Sequence, residues 1–562
     1  MSWKIHKLLI KTSNLLEIIA LVAIALAVLL RIINLGSREF WYDEVLSLLL
    51  SSGQRNNYQG LSDLPMVLAN YAPLFNLPVE TGIGGVFSTL RQLIRGFWGG
   101  EPHPPLFFLS QHLWLRLFGN SEAATRSLNA LLSVGAIATT YGLGRTLLGH
   151  RGGLLLAALL GVNPFYLFHS LNMRMYAPLV LWGTLSAWML LLLIFEGEIL
   201  KDNKPRTWLL CNVLLIGSLA AGLLTFYLFA YWAITLGILV LYLGRKHWWQ
   251  HNLRLATGVM LTVPWVLVGT LKQLRNADLK RFGITPEGGS PLLIHLQDFA
   301  QVLGIHLVVG DWVTSLPLTS VIASGWVAFS LLMIFSINLW QQGEKKNLGV
   351  ALILGIFPLL LALGVDIATK KFTLGFGWGR TMIIIVPGCL LLLALWLEKA
   401  AGKWRTPLAA GLLLFYLTVS IGDFSWRQRS VFHPIANLIS QEPNTPTLIA
   451  MNTQAWGHVT RLGYYISPKA SVKLLAQPPA NLATTLEKIL KDDAKQYPRL
   501  LWLDSGDPLW ASLKTDAEIE REKQRVQQVL SSQYQLTQTQ HLSGTMSLDR
   551  FTVNLYKHSP AT

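Results

Sequence analysis

The feature that most constrains this chain is a series of apolar segments, each close to the roughly 20 residues that a helix needs to cross a bilayer. Lipid offers no partners for backbone N–H and C=O groups, and a helix pairs these groups internally. We therefore predict an α-helical polytopic membrane protein. Eleven spans are expected, at residues 15–34, 126–147, 152–171, 176–196, 207–223, 226–243, 254–271, 316–339, 347–366, 380–397 and 406–423.

The composition supports this class and argues against others. Of the 562 residues, 52% are apolar and 14% are charged, whereas soluble domains carry about 25% charged residues. The net charge of +16 is spread over loops between apolar segments, so no compact basic domain for nucleic acid is expected. Cys211 and Cys389 both lie in apolar segments, which predicts neither a disulfide framework nor a thiolate metal site.

Residues 104–118 form an apolar segment that is short for a span. About 15 residues rising 1.5 Å each reach some 22 Å, less than the roughly 30 Å hydrocarbon core. We interpret this segment as a helix on the outer face of the membrane. The basic clusters then share the side of the basic N-terminus, which the positive-inside rule makes cytoplasmic; they are Arg145 and Arg151, 201–206, 245–254, Lys345 and Lys346, and 399–405.

This topology predicts an integral protein of the cytoplasmic (inner) membrane, with its long loops facing the periplasm. The outer side would hold residues 36–125, 172–176, 272–312 and 367–379, and the chain after residue 422. From residue 424 the composition becomes soluble, with β-type runs at 447–451, 500–503 and 551–555 and helical patterns at 483–493 and 516–531. We predict a transmembrane catalytic domain over 1–423 and a periplasmic α/β domain of unknown role over 424–562.

The sharpest motif is Trp41-Tyr42-Asp43-Glu44, which directly follows the first span. Adjacent carboxylates at a membrane boundary are costly unless they are hydrated, paired or used. A transferase that moves a sugar onto a hydroxyl or an amine needs a base to take the proton of the acceptor, and Asp43 is our candidate. Glu44 would orient the acceptor or tune the acidity of Asp43. The alternative is a solvated helix start, where carboxylates favour the positive dipole end.

A second motif, Glu101-Pro-His103-Pro-Pro, opens the short apolar helix. Its prolines preset the first helical turn, so Glu101 and His103 should lie at the membrane surface. Together with Asp43 they supply carboxylate and imidazole ligands suited to a divalent cation. A metal at Asp43, Glu101 and His103 is one interpretation, and helix capping is the other.

Arginines and lysines accumulate on the predicted outer side, against the charge rule. A planar guanidinium suits a phosphate, and cations at the surface would stabilise a lipid phosphate as it leaves. We predict that the donor phosphate is bound by Arg174, Arg380, Lys272, Arg275, Lys280 and Arg281. Snorkelling to the interface is the alternative for Arg174, and headgroup binding is the alternative for the others.

Taken in order, these motifs resemble the GT-C superfamily of glycosyltransferases. The shared motifs are Trp-Tyr-Asp-Glu at 41–44, His-Pro-Pro-Leu at 103–106 and Arg-Met-Tyr-Ala at 174–177. The run Arg-Ser-Leu-Asn-Ala-Leu at 126–131, which leads to Gly144-Arg145, and Arg380 ahead of Pro387 complete the pattern. Over about residues 10–400 they are similar to the dolichyl-phosphate-mannose protein mannosyltransferase-like branch, which also holds aminoarabinose transferases. The resemblance does not extend to the C-terminal domain, and it leaves the role of that domain open.

The resemblance implies an inverting, metal-optional transfer of a sugar from a polyprenyl-phosphate carrier. By match to the motifs, Asp43 would be the base and Glu44 its neighbour, while Arg174 and Arg380 would approach the lipid phosphate. The pocket would include Trp41, Tyr42, Glu101, His103 and Tyr176. The expected partners are the lipid-linked donor, membrane lipids and an acceptor that the sequence leaves open among lipid, glycan and protein.

A transporter or flippase of lipid-linked sugars is the competing class, and a structural or assembly protein is a third. Transporters place ionisable residues near the middle of spans and show repeat symmetry. Here the middles of the spans are almost free of charge, and the charged groups gather at one predicted surface. The pattern therefore favours the transferase.

Overall fold

The computed structural model describes residues 2–99, 101–244, 246–276, 290–427, 429–508 and 515–559. The chain divides into two compact units. The first, here called the helical unit, comprises Met1–Leu35, Phe97–Gln111 and Arg126–Trp426. The second, the α/β unit, comprises Gly36–Gly96, His112–Thr125 and Arg427–Thr562. This division differs from the predicted 1–423 and 424–562, because most of the first loop groups with the C-terminal part.

Helices make up the helical unit because its long apolar segments pair their backbone groups internally. Among the described residues, the α-helices of six residues or more are Ser2–Ile33, Glu122–Val162, Pro164–Ser170, Tyr176–Asn203, Pro205–Thr225, Ala230–Leu243, Trp248–Met260, Leu271–Asn276, Pro291–Gly304, Leu318–Gln341, Lys345–Thr369, Val386–Lys399 and Arg405–Trp426. Glu122–Val162 begins in the α/β unit, and Gly82–Trp98 and Leu106–Phe118 also contain residues of both units.

Two helices of this unit meet backbone to backbone. A Cβ atom placed on Gly388 would lie 2.3 Å from the backbone nitrogen of Gly355. Small residues allow such close approach between helices. In lipid the hydrophobic effect does not drive helices together, so their association depends on this tight packing. The pair Lys345–Thr369 and Val386–Lys399 therefore depends on glycine at both positions.

Nine helices in the described part of the chain are long and apolar enough to cross a membrane, or ten if Glu122–Val162 and Pro164–Ser170 form one bent span. The predicted fold class is confirmed. Gly149 has non-helical angles (φ 79°, ψ −176°), and a Cβ on Gly144 would lie 2.9 Å from the Cα of Gly153. Those two residues would be about 13 Å apart in a straight helix, so the chain turns back at Gly149, between the two segments predicted as spans.

Two segments differ from the expected set of spans. Residues 226–243 form only a short apolar helix, Tyr227–Leu243. The outer loop predicted over 272–312 is wrong for its second half, where Pro291–Thr314 is helical with a mean hydropathy of 1.5. Its polar residues His295 and Gln301 lowered the apolar signal, yet both are buried inside the unit. The helix predicted at 104–118 is present as Leu106–Phe118 and is not among the candidate spans, and its location at the membrane surface stays a prediction.

The α/β unit is built on a mixed six-stranded sheet in the order β1-β3-β2-β4-β6-β5. The strands are β1 (Met66–Val67), β2 (Thr447–Met451), β3 (Val472–Ala476), β4 (Arg499–Ser505), β5 (Tyr534–Ser543) and β6 (Arg550–His558). The central strands β3, β2 and β4 are parallel, and β1, β5 and β6 pair antiparallel. The predicted α/β character of the C-terminal part is confirmed.

Helices cover both faces of this sheet: Tyr42–Ser51, Phe432–Ser440, Trp456–Tyr465, Pro479–Asp493 and Asp516–Ser531. The first loop is part of this fold, because β1 pairs with β3 (Met66 opposite Leu474). Leu49, Tyr71 and Leu74 of the first loop are buried in the same core as residues of β2, β3, β4 and β6. Residues before the second span thus complete a domain whose other parts follow the last span.

Candidate functional site

Asp43 and Glu44 lie in the first turn of the helix Tyr42–Ser51 in the α/β unit. The Trp41 N–H donates to Glu44 Oε2 at 3.2 Å, and Glu44 is 1% exposed. Asp43 is partly exposed, and its backbone carbonyl accepts from Ser47 Oγ at 3.0 Å. Glu44 therefore caps the helix that carries Asp43, and Asp43 keeps access to its surroundings.

Trp41 and Tyr42, expected in the pocket, are both buried in the α/β unit. The Tyr42 ring packs so closely on Gly457 that a Cβ there would lie 2.6 Å from it, and it meets the His458 ring edge-on at 5.3 Å. Burial raises the pKa of Tyr42. These contacts give Tyr42 a packing role, and its place in a substrate pocket stays a prediction.

In the helical unit, Arg174 lies in a turn held by Asn129. The Asn129 side-chain amide donates to the carbonyls of Asn172 and Arg174, to the latter at 2.6 Å. The Arg174 N–H donates to the Asn172 carbonyl at 2.7 Å, and Arg174 is 6% exposed. Tyr176 starts the next helix and packs edge-on against His169 at 4.7 Å. The turn is thus ordered by the buried side-chain amide of Asn129.

Arg380 follows three residues with positive φ: Gly377 (58°), Trp378 (61°) and Gly379 (70°). A non-glycine residue in this region is uncommon, and such strain clusters at ligand-binding sites. The Arg380 guanidinium lies 6.0 Å above the centre of the Tyr176 ring, and Arg380 is 8% exposed. Within the helical unit, the structure therefore brings two predicted site residues, Arg380 and Tyr176, together.

The turn before Arg380 is held by Asp366, which the sequence reasoning missed. Its carboxylate accepts from Thr373 N at 2.8 Å, Thr373 Oγ1 at 2.6 Å and Leu374 N at 2.9 Å. Asp366 is fully buried near the end of the helix Lys345–Thr369. A lone carboxylate near the end of an apolar span was the available signal, because such residues are rare unless they serve a purpose.

Glu101 and His103 also lie in the helical unit, where the Glu101 carboxylate contacts His103 Nδ1. The His103 ring stacks on Phe226 at 5.5 Å. The buried Gln273, which no motif indicated, donates to the His103 carbonyl at 2.8 Å and to the Phe97 carbonyl at 3.3 Å. The two predicted residues therefore form a side-chain pair on a fixed stretch of backbone.

Lys272 and Arg275 are exposed on the neighbouring helix Leu271–Asn276. The Lys272 ammonium lies 3.9 Å from the centre of the Trp98 ring, a cation–π contact that fixes its position. The predicted phosphate-binding residues Lys280 and Arg281 lie outside the described residues.

The three proposed metal ligands are divided between the two units. Asp43 belongs to the α/β unit, whereas Glu101 and His103 belong to the helical unit. Within the described ranges, no group of three or more His, Cys, Asp or Glu residues is arranged to hold a metal ion. A divalent metal at Asp43, Glu101 and His103 therefore stays a prediction.

Comparison with known proteins bears on the helical unit. Residues 102–268 match the family model for dolichyl-phosphate-mannose-protein mannosyltransferases. This confirms the predicted resemblance to the protein mannosyltransferase-like branch of the GT-C glycosyltransferases. The GT-C segment contains His103, Arg174 and Tyr176, and leaves Asp43 and Arg380 outside it.

Two solved structures resemble the chain as a whole. One is the Archaeoglobus fulgidus oligosaccharyltransferase in complex with Zn and sulfate, with 13% identity, a TM-score of 0.46, and coverage of 86% of this chain and 67% of that one. The other is ArnT from Cupriavidus metallidurans bound to undecaprenyl phosphate, with 12% identity, a TM-score of 0.40, and coverage of 95% and 97%. Both scores and both identities are low. None of the curated proteins matches the chain.

Proposed function

We propose that this GT-C-like chain transfers a sugar from a polyprenyl-phosphate carrier to an acceptor at the outer face of the inner membrane, with inversion at the anomeric carbon. The observation that carries the proposal is the contrast within one helical turn. Glu44 is buried and bonded to the backbone of Trp41, whereas Asp43 is partly exposed. A carboxylate that the fold leaves partly exposed can be reached by a substrate for proton transfer.

In the proposed reaction, Asp43 takes the proton from the acceptor hydroxyl or amine while the acceptor atom attacks the anomeric carbon. The new bond forms on the side opposite the phosphate, and the bond between the anomeric carbon and the phosphate oxygen breaks. The electron pair of that bond leaves with the lipid phosphate. A single displacement of this kind inverts the configuration and leaves the proton on Asp43.

Arg174 and Arg380 are the proposed partners of the lipid phosphate. Both guanidinium groups are largely buried in the helical unit, and both follow turns that are fixed by side-chain bonds to the backbone. A preorganised cation stabilises a leaving phosphate without reorganisation during the reaction. Lys272 and Arg275 are exposed and are proposed to add positive charge near the headgroup.

The test is release of free polyprenyl phosphate from a purified lipid-linked sugar, measured with detergent-solubilised protein. A transferase given an acceptor releases the phosphate, whereas a transporter or flippase leaves the donor intact. In cells, membranes that lack the protein should accumulate one polyprenyl-phosphate sugar, and the wild-type chain should remove it. An intact donor in the first assay together with no accumulation in the second would refute the proposal.

The proposed orientation has its own test in intact cells, with an impermeant thiol reagent. Val79 is exposed in the first loop, and Lys204 is exposed between two candidate spans on the predicted cytoplasmic side. Val79→Cys should be labelled, whereas Lys204→Cys should be labelled only after the membrane is opened. The native Cys211 and Cys389 are buried, which keeps the background low. Labelling of Lys204→Cys in intact cells would refute the orientation.

A further inference from the structure

The segment from Glu39 to Glu44 is held by the C-terminal part of its own unit, and the first holding point is Glu39. Its carboxylate accepts from Val431 N at 2.8 Å, from Phe432 N at 2.9 Å and from the His433 N–H. These three N–H groups start the helix Phe432–Ser440. Glu39 thus caps this helix although it lies in a distant part of the chain. Its negative charge also interacts favourably with the positive end of the helix dipole.

The second holding point is the backbone of Phe40. Its N–H donates to the Tyr465 hydroxyl at 2.7 Å, and the Tyr465 hydroxyl donates in turn to the Glu122 carboxylate. The Phe40 side chain is fully buried and meets the Tyr464 ring edge-on at 5.1 Å. One residue of the segment is therefore fixed through both its backbone and its ring.

The third holding point is Arg461, on the same helix Trp456–Tyr465 as Tyr465. Its Nη1 donates to the Phe40 carbonyl at 3.3 Å, and its Nη2 lies 2.5 Å from Asp549 Oδ1. Both members of this ion pair are buried, and Arg461 also donates to the Gly457 carbonyl at 3.1 Å. These contacts with Asp549 and Gly457 hold the guanidinium in place independently of its bond to Phe40. Asp549 immediately precedes β6, so the contact links the segment to the last strand of the sheet.

We infer that the α/β unit is a scaffold for Asp43, with Tyr465, Arg461 and Glu39 as positioning residues of the proposed reaction. The inference rests on the proposed role of Asp43 as the base. An extended stretch such as Glu39–Trp41 loses conformational freedom when it is ordered, and fixed contacts are needed to offset that loss. A misplacement of about 1 Å at a reacting group can slow a reaction by roughly 10²-fold, so a base on such a stretch needs this support.

The test compares two tyrosine variants of the full-length protein. Tyr465→Phe removes the hydroxyl that accepts from Phe40 and leaves the ring in place. Tyr534→Phe is the matched control, because its buried hydroxyl donates to the carbonyls of Ala494 and Tyr497 within the same unit and does not contact the segment. Both variants lose hydroxyl bonds of the α/β unit, so a general loss of stability affects both.

Two quantities are measured: hydrogen exchange of the amides of residues 40–44, and the kcat and KM of transfer. We expect exchange in Tyr465→Phe to be roughly tenfold faster, the equivalent of one hydrogen bond, and kcat to fall roughly 10-fold or more at an unchanged KM for the donor. Tyr534→Phe should keep wild-type exchange in the segment and wild-type kcat. A merely structural role of Tyr465 would lower the rate only in proportion to the amount of folded protein, so kcat is expressed per folded enzyme, where such a role would leave it unchanged.

Each other outcome has a defined meaning. Unchanged exchange of the segment in Tyr465→Phe would overturn the scaffold, and so would faster exchange with wild-type kcat. Equal effects of both variants would assign the change to general stability and also overturn it. If Asp43→Asn transferred sugar at the wild-type rate, the proposed function would fail, while the exchange measurement would still decide whether the scaffold exists.

Discussion

The two regions that carry the proposed chemistry are held in place by bonds of very different sequence range. In the α/β unit, the segment before Asp43 is fixed by residues 393 and 425 positions away. In the helical unit, the turn before Arg380 is fixed by Asp366, only 7 and 8 positions away. The proposed base thus depends on a complete α/β domain, whereas the proposed phosphate ligand depends on the end of one neighbouring helix. Transfer and donor binding should therefore be separable by mutation.

The largest expected effect comes from the base itself. Asp43→Asn keeps the size of the side chain and removes its ability to take a proton, so turnover should fall roughly 10² to 10⁴-fold. Donor affinity, which the other unit is proposed to supply, should change little. Glu44→Gln is the control and should be milder, because an amide oxygen can still accept from Trp41 N–H. Near-wild-type turnover of Asp43→Asn would show that the mechanism is wrong.

The second largest effect is expected from the contacts that hold the segment before Asp43 in the α/β unit. Asp549→Ala leaves the buried Arg461 without its carboxylate, and removing one partner of a buried ion pair costs about 3–5 kcal/mol. We expect the α/β unit to unfold at a lower temperature and transfer to be lost, while the helical unit still binds donor. The control is Glu522→Ala, whose pair with the half-exposed Arg525 is worth about 0–1 kcal/mol. Thermal unfolding and donor binding together would test this, and loss of donor binding would contradict it.

Asp366→Ala is the corresponding change in the helical unit. It leaves the N–H groups of Thr373 and Leu374 without their acceptor. An unsatisfied buried group lowers the stability of the folded state by about 1–3 kcal/mol. The turn before Arg380 should loosen, so the KM for the donor should rise while kcat at saturating donor stays close to wild type. Asp366→Asn keeps one carbonyl oxygen and should show a smaller rise. A fall in kcat without a change in KM would remove the contrast between the two regions.

A smaller effect is expected when the proposed phosphate ligands are replaced by lysine, which keeps the positive charge but lacks the planar guanidinium group. Arg380→Lys and Arg174→Lys replace a planar fork by a point charge, which should weaken donor binding about tenfold, the equivalent of one hydrogen bond. Arg151→Lys is the matched control, because Arg151 pairs with Glu398 at 2.6 Å on the predicted cytoplasmic side. If all three variants bound donor equally well, Arg174 and Arg380 would be excluded as phosphate ligands.

The smallest effect concerns pH and the Glu39–His433 pair, in which His433 Nδ1 lies 3.1 Å from the carboxylate. Burial alone would raise the pKa of Glu39, but hydrogen bonds from the His433 side chain and from three backbone N–H groups lower it overall from 4.5. The Glu39 hydrogen bond raises the pKa of His433 from 6.5. The contribution of Glu39 is therefore lost as pH falls through its lowered pKa, and that of His433 as pH rises through its raised pKa.

The pair should thus stabilise the α/β unit most between pH 4.5 and pH 6.5, the ordinary pKa values of the two groups. Because the His433 side chain is half exposed, we expect less than about 1 kcal/mol. Denaturant unfolding at several pH values should show a modest loss of stability on the alkaline side, and His433→Gln should abolish that slope. A slope that persists in the variant would assign it to another group.

Much of the architecture could be predicted because its causes are local. Long apolar segments predict helices that span a membrane, and the alternation of β-type runs with helical patterns predicted the α/β character after residue 424. The strand β1 could not be predicted, since Met66–Val67 is too short to show periodicity and its partner β3 lies about 400 residues later. The helix Pro291–Gly304 was missed because His295 and Gln301 interrupt its apolar pattern.

The candidate site shows the same limit. Asp43, Arg174 and Arg380 could be proposed because each belongs to a local motif. Asp366 and Gln273 were missed, because their importance lies in backbone groups of other segments that they hold in the folded unit. Glu39 and Tyr465 were missed for the same reason, and no local pattern connects them.

The pairing of early residues with late ones has a consequence for biosynthesis. Glu39 and Phe40 leave the ribosome about 390 to 425 residues before Phe432 and Tyr465, and at about 5–20 residues per second the delay is roughly 20–85 s. During that time the stretch before Asp43 has no strand or helix to bind, although the spans between can already insert. On the proposed scaffold, a chain released before β6 is made would carry the motif without the contacts that position Asp43, and it would lack transfer activity.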